Sequence, residues 1–160
     1  MKHPQSFAIT CNKAFSTPEI KAVAEYGCCA FVLMWSLGIN VPDFIAVKKV
    51  QDMIRKKVID QDCTVKWCSA VDHLTGRQLA DVKFVDISSI KDIKERTPVM
   101  YKLGKKCHWV GVENGKVAFN PLKFSQCVTL GNLPRKEFLF SRSKTWTRFR
   151  LRRSLLRQWV

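Results

Sequence analysis

Tyr26-Gly27-Cys28-Cys29-Ala30-Phe31-Val32-Leu33-Met34-Trp35 is the stretch on which the reading of this chain turns. A glycine turn leads into a helix-length apolar run whose first residues are thiols. A helix that is apolar on nearly all sides is buried at the centre of a domain. A cysteine in its first turn meets unpaired backbone N–H groups and the positive end of the helix dipole, which favour the thiolate. The same position also suits a small residue that packs the start of a core helix.

Working outward, Ser16-Thr17-Pro18-Glu19 reads as a helix start: a hydroxyl cap, a proline in the first turn and an early acid. That helix runs through Ala24 and closes at Gly27, and residues 1–15 read as an irregular or short strand-like entry. The apolar helix then spans Cys28 to Leu37, with Gly38 as its stop. Val41-Pro42-Asp43 opens a third helix, on which Phe44, Val47, Val50, Ile54 and Val58 are spaced for one face. Its other face carries Lys48, Lys49, Arg55, Lys56 and Lys57.

The second half has strand character. Asp60 to Val65 reads as the start of an extended segment, and residues 66–80 are polar and ambiguous between states. Val82-Lys83-Phe84-Val85 reads as a strand, and Ser88 or Ser89 caps a short helix over 90–96. Val99 to Leu103 and His108 to Val112 alternate as strands, and Glu113-Asn114-Gly115-Lys116 is a hairpin turn into Val117-Ala118-Phe119. Gln126 to Leu130 and Glu137 to Phe140 read as further strands around a Gly131-Asn132 turn. Helices first and antiparallel strands after is the α+β pattern.

At 160 residues and 46% apolar content, the chain is long enough for one domain with a real core. It carries 28 Lys and Arg against 13 Asp and Glu, a net +15. Seven of the cations, and no acid, lie between Arg142 and Arg157, so removing them lowers the net charge from +15 to +8. This divides the chain into a folded unit over 1–141 and a basic C-terminal extension over 142–160. The seven cysteines, at 11, 28, 29, 63, 68, 107 and 127, are odd in number and widely spread, which argues against a disulfide scaffold. The opening residues lack the apolar core of a secretion signal, and no segment reaches membrane-span length. The expectation is a cytoplasmic protein with free thiols.

Three residues form a constellation with chemistry: Cys28, His108 and Asn120. A thiol nucleophile needs a base to take its proton and a third polar group to orient that base. The hairpin at Asn114-Gly115 lies midway between His108 and Asn120 and brings them together, whereas the approach of Cys28 to His108 is not set by spacing. For each cysteine of the pair the alternative is a buried packing role, and for His108 a hydrogen-bonded structural histidine. His3 and His73 have no constellation around them and read as surface residues.

At these residues the chain resembles the papain-like cysteine peptidases. Gly27-Cys28-Cys29-Ala30-Phe31 looks like the papain nucleophile motif. Cys107-His108-Trp109-Val110-Gly111-Val112 followed by Lys116-Val117-Ala118-Phe119-Asn120-Pro121 is closer to the bacteriocin-processing (double-glycine) branch and its bacterial and phage relatives. The resemblance spans residues 17 to about 140 and implies an α+β fold of papain-like architecture, N-terminal helices packed on a C-terminal antiparallel sheet. It implies Cys28 as nucleophile, His108 as base and Asn120 as orienting residue, acting on a peptide or protein substrate without a cofactor. Two departures stand out. Lys21-Ala22-Val23-Ala24-Glu25 holds no Gln to complete the oxyanion hole, and Asn replaces the Asp usual in the closer branch. The resemblance therefore implies a peptidase or amidase whose turnover is weak or lost.

Two further readings concern ligands. Cys63 and Cys68 are spaced as a metal pair but have no second pair behind them, so no metal site is expected. The extension interleaves Arg142, Lys144, Arg148, Arg150, Arg152 and Arg153 with Trp146, Phe149 and Leu151. Arginines pair with phosphates and aromatics stack on bases, so single-stranded nucleic acid or an acidic protein is the partner this composition suits. A basic solvated face is the plain alternative. An inactive basic binding protein, such as a phage host-interaction or inhibitor protein, is the second function class.

Overall fold

The computed structural model describes residues 1–79, 81–129, 134–141 and 146–147. The side chains of 129, 134–141 and 146–147 are outside this description, as are the Gly131-Asn132 turn and all the tail cations singled out above.

Five helices come first. They are α1 (Pro4–Ala14), α2 (Pro18–Tyr26), α3 (Cys28–Ser36), α4 (Asp43–Arg55) and α5 (Trp67–Thr75). β1 (Asp81–Asp86), β2 (Thr97–Leu103), β3 (Lys106–Glu113) and β4 (Lys116–Phe119) follow, then the one-turn α6 (Gln126–Thr129), β5 (Pro134–Ser141) and β6 (Trp146–Thr147). The described strands form one antiparallel sheet in the order β1-β5-β2-β3-β4, with β6 beside β5. This is an α+β chain.

The local signals explain most of these elements. The Thr17 side chain accepts the Ile20 N–H at 3.2 Å and caps α2. Gly38 takes φ 76 after α3, and Ile39 N donates to Met34 O at 3.0 Å, closing that helix end. Asn114 and Gly115 both have positive φ, 53 and 70, as the two-residue turn between β3 and β4 requires.

Four expectations are corrected. Residues 1–15 are not an irregular entry but carry α1, which starts at Pro4 and buries Gln5 and Ala8. Residues 90–96 form no helix. Lys91 N bonds to Ser89 Oγ, and the carbonyls of Ile93 and Lys94 accept from Gly115 and Asn114 at the hairpin tip. Ile93 N donates to Ile90 O at 3.1 Å in a single turn, and the Ile93 and Lys94 carbonyls, taken up by the hairpin tip, cannot extend that turn into a helix. Gln126–Thr129 is a helical turn rather than a strand. Phe44, placed on the buried face of α4, is exposed. The ambiguous stretch 66–80 contains α5, which Gly76 ends at φ 64.

α3 sits at the centre. Ala30, Phe31, Val32, Leu33 and Met34 are all fully buried, so the helix has no solvent face. It lies among α1, α4 and one face of β2–β3. The opposite face of the sheet carries a second cluster built from Ile93, Val99, Tyr101, Val110, Val112 and Cys127. Where α3 crosses β3, Trp35 stacks on Phe119 with ring centroids 5.8 Å apart and planes 9° apart. Gly111 makes this possible, because a Cβ there would lie 2.3 Å from Trp35 Cε3. The Arg96 guanidinium covers the Trp35 ring at 5.0 Å and pairs with Glu113 at 3.4 Å. These contacts fix the rotation of α3 about its axis and with it the position of Cys28.

Candidate functional site

Cys28 owes its place to Gly27. That residue joins α2 to α3 in αR conformation, and a Cβ on it would lie 2.5 Å from Val23 O. The sharp junction leaves Cys28 as the first residue of α3, 8% exposed. The backbone N–H groups of Trp109, Cys29 and Cys28 itself all favour negative charge on its sulfur. Burial outweighs them, and the nearby Cys107 opposes them too, so the Cys28 thiol is held above its ordinary 9.0. At neutral pH it is protonated, and its Sγ points to Tyr26 O at 4.0 Å. The Cys29 thiol is pushed well up, first by desolvation and then by the neighbouring Cys28 and Cys63.

His108 and Asn120 meet as the hairpin requires. His108 Nε2 lies 2.8 Å from Asn120 Oδ1. The same oxygen accepts the Leu122 N–H at 3.1 Å, which identifies it as the amide carbonyl. A carbonyl only accepts, so His108 Nε2 carries the ring proton and Nδ1 is left with its lone pair. The ring is 5% exposed. Burial lowers its pKa below the ordinary 6.5, against a smaller raising effect from the Asn120 bond. The imidazole is therefore neutral at pH 7 and able to accept a proton at Nδ1.

Asn120 is itself held from the far end of the chain. His3 Nδ1 donates to Asn120 O at 3.0 Å, and Gln5 N donates to Pro121 O, also at 3.0 Å. Lys123 N donates to Ser6 Oγ at 2.8 Å. The start of α1 is thus a brace for the loop carrying Asn120. His3, read from the sequence as a surface residue, is half-buried and belongs to this brace. His73 is exposed, with Nε2 4.0 Å from Asp52.

The third member of the constellation stands apart. Cys28 lies beside the backbone of Trp109, the residue after His108, yet no hydrogen bond joins its thiol to the His108 ring. Cys28 opens into a cleft of about 380 Å³ whose walls include Trp67, Trp109, Cys29, Cys63 and Cys107. Successive residues of a strand point to opposite faces. Cys107 and Trp109 face this cleft, and His108 between them does not line it. The Trp67, Phe84 and Trp109 rings pack on one another at 5.6–5.9 Å, and Trp67 and Trp109 form one wall. A larger concavity, of about 470 Å³, lies between the start of α2 and the end of α4 and touches none of the three residues.

The oxyanion donor absent from the sequence before Cys28 is not supplied by Gln5 either. Its side-chain N–H groups are spent on Ala24 O and Glu25 O at 3.1 and 3.4 Å, and it does not line the cleft. Sequence reasoning also passed over Cys63, Cys107, Trp67 and Trp109 as cleft residues. The only signal for Cys107 and Trp109 was their alternation about His108. Among the described residues no group of three or more His, Cys, Asp or Glu side chains is arranged to hold a metal ion. No described helix is long and apolar enough to cross a membrane. No family model matches this chain, and neither do any of the curated proteins or solved structures compared with it.

Proposed function

We propose that this protein is a cysteine peptidase or amidase-type hydrolase of papain-like architecture, with Cys28 as nucleophile, His108 as base and Asn120 as orienting residue. The observation that carries the reading is the His108–Asn120 bond, because it fixes the tautomer that leaves Nδ1 free to take a proton. In the reaction Cys28 Sγ attacks the substrate carbonyl carbon and its proton passes to His108 Nδ1. The imidazolium then protonates the leaving nitrogen as the C–N bond breaks. Water, deprotonated by the same ring, releases the acyl group and regenerates the thiol.

At rest Cys28 is a neutral thiol turned toward Tyr26 O, and His108 is a neutral imidazole that does not line the Cys28 cleft. Turnover therefore requires a rearrangement at β3 that brings the His108 ring and the Cys28 thiol into one cleft. The backbone N–H groups at the start of α3 are the oxyanion donors at hand, and a missing side-chain donor commonly costs about 100-fold to 1,000-fold. Slow turnover on a peptide or amide substrate is the expected character.

Labelling by a peptide-based thiol electrophile at pH 8 tests this. We expect labelling in the wild type and in Cys29→Ala, none at this site in Cys28→Ala, and a rate about 100-fold lower in His108→Ala. Equal labelling of all four proteins overturns the assignment.

A second reading is a binding protein that has kept the fold and lost turnover, with the basic extension contacting nucleic acid or an acidic protein. The protonated thiol turned away from His108 favours it. Affinity for single-stranded DNA measured against salt is the test. A steep loss of affinity with salt, together with no hydrolysis, supports it, and a flat salt response removes it.

A further inference from the structure

Four of the seven cysteines, Cys28, Cys29, Cys63 and Cys107, line the one cleft that holds the candidate nucleophile. All seven are free thiols. They come from three separate parts of the chain: the start of α3, the turn after α4 and strand β3. The chain's topology, rather than a local motif, gathers them. Their accessibilities differ sharply. Cys63 is 2% exposed and Cys28 8%, Cys29 is half-buried, and Cys107 is exposed to solvent.

We propose that Cys28 and Cys107 form a reversible disulfide that caps the candidate nucleophile under oxidising conditions. The geometry supports this pair over the others. Cys107 points into the cleft from the residue two before Trp109, on the same strand face. The backbone N–H of Trp109 is the group that faces the Cys28 sulfur. Cys28 and Cys107 thus border the same cleft on either side of Trp109, close enough for Cys107 to act electrostatically on the Cys28 sulfur. Cys28 and Cys29 are adjacent in a helix and diverge around its axis. Cys63 is closed off from solvent, so a hydroperoxide does not reach it, and burial pushes its thiol up to about 12.

The chemistry proceeds in two steps. A hydroperoxide reaches the exposed Cys107, whose sulfur takes the distal oxygen; the O–O bond breaks, leaving a sulfenic acid and an alcohol or, from hydrogen peroxide, water. Cys28 sulfur then attacks the Cys107 sulfur, the S–O bond breaks and the hydroxyl leaves as water with the Cys28 proton. The net change is two thiols and one hydroperoxide to one disulfide, one alcohol and one water. A dithiol reductant reverses it by exchange. The regulatory consequence rests on Cys28 being the nucleophile; the disulfide itself does not.

The test treats the full chain with a small excess of hydrogen peroxide, followed by tryptic digestion without reduction and mass spectrometry. We expect a linked pair of the peptides spanning 22–48 and 107–116, two hydrogens lighter than their sum. It is lost in Cys28→Ser and in Cys107→Ser, and kept in Cys29→Ser and Cys63→Ser. Cys107 is exposed, so Cys107→Ser keeps the fold, which circular dichroism verifies. A link from 22–48 to the 58–66 peptide, or sulfinic acid at Cys107 with Cys28 still free, overturns the proposal. In the linked protein, electrophile labelling of Cys28 falls at least tenfold and returns with dithiol. If the link forms but Cys28→Ala labels like the wild type, the hydrolase reading fails and the disulfide stands.

Discussion

His108 Nε2 donates to Asn120 Oδ1 across 2.8 Å, and the same oxygen accepts Leu122 N–H. One amide oxygen thus fixes both the ring tautomer and the turn that leaves β4.

Asn120→Ala removes that acceptor and leaves a buried ring N–H and a backbone N–H unpaired. We expect a loss of about 1–3 kcal/mol in denaturant unfolding. Because the bond raises the His108 pKa, its removal lowers the imidazole titration further, read by NMR of the ring protons. A pKa that rises in Asn120→Ala contradicts the assigned tautomer.

The same histidine sets an acid limit on stability. Its folded pKa is depressed by burial, so the unfolded chain binds the proton more readily. The stability it contributes is complete above the ordinary 6.5 and is lost as pH falls from there through the folded value. His108→Gln flattens this slope below pH 6.5. Asp52 and Asp62 act lower: their pKa values lie below 3.8, so what they contribute is lost only on acidification beneath that value. Melting temperatures of both proteins across pH separate the two windows, and superimposable curves would exclude a depressed His108.

Alkylation of Cys28 follows its raised pKa. With iodoacetamide, the rate assigned to Cys28, taken as the difference between wild type and Cys28→Ala, rises continuously through pH 9. A plateau beginning below pH 7 would mean that an ion pair with His108 already exists at rest.

Gly111→Ala drives a methyl group into the Trp35 ring, whose nearest atoms lie 2.3–2.9 Å from the ideal Cβ. The ring is pinned between Phe119 and Arg96 and has little room to yield. We expect destabilisation of about 1–3 kcal/mol by overpacking, partly recovered in Gly111→Ala with Trp35→Leu. Chemical denaturation of the two variants measures this, and a neutral single variant would show that α3 can slide on the sheet.

Much was legible in the sequence because it is local. Thr17-Pro18, Gly38 and Asn114-Gly115 dictate their caps and turns through backbone chemistry that needs no distant partner. The buried centre was readable from Cys28 to Trp35 because a helix without a polar face must be enclosed. His108 and Asn120 could be brought near each other in advance because the Asn114-Gly115 hairpin folds the chain back on itself, although a bulge between Gly111 and Val112 shifts the register.

Elsewhere tertiary contacts decided the outcome. α1 was missed because its sequence is only weakly patterned. What holds its start is long-range, through the Asp43 carboxylate on Lys2 N and His3 N and through Pro121 O on Gln5 N. The segment 90–96 gave its backbone groups to a hairpin tip and so lost its helix. The orientation of the Cys28 thiol, and the gathering of four cysteines into one cleft, depend on where α3 lands on β3. Trp35 stacked over Gly111 determines that placement, and sequence spacing has no access to it.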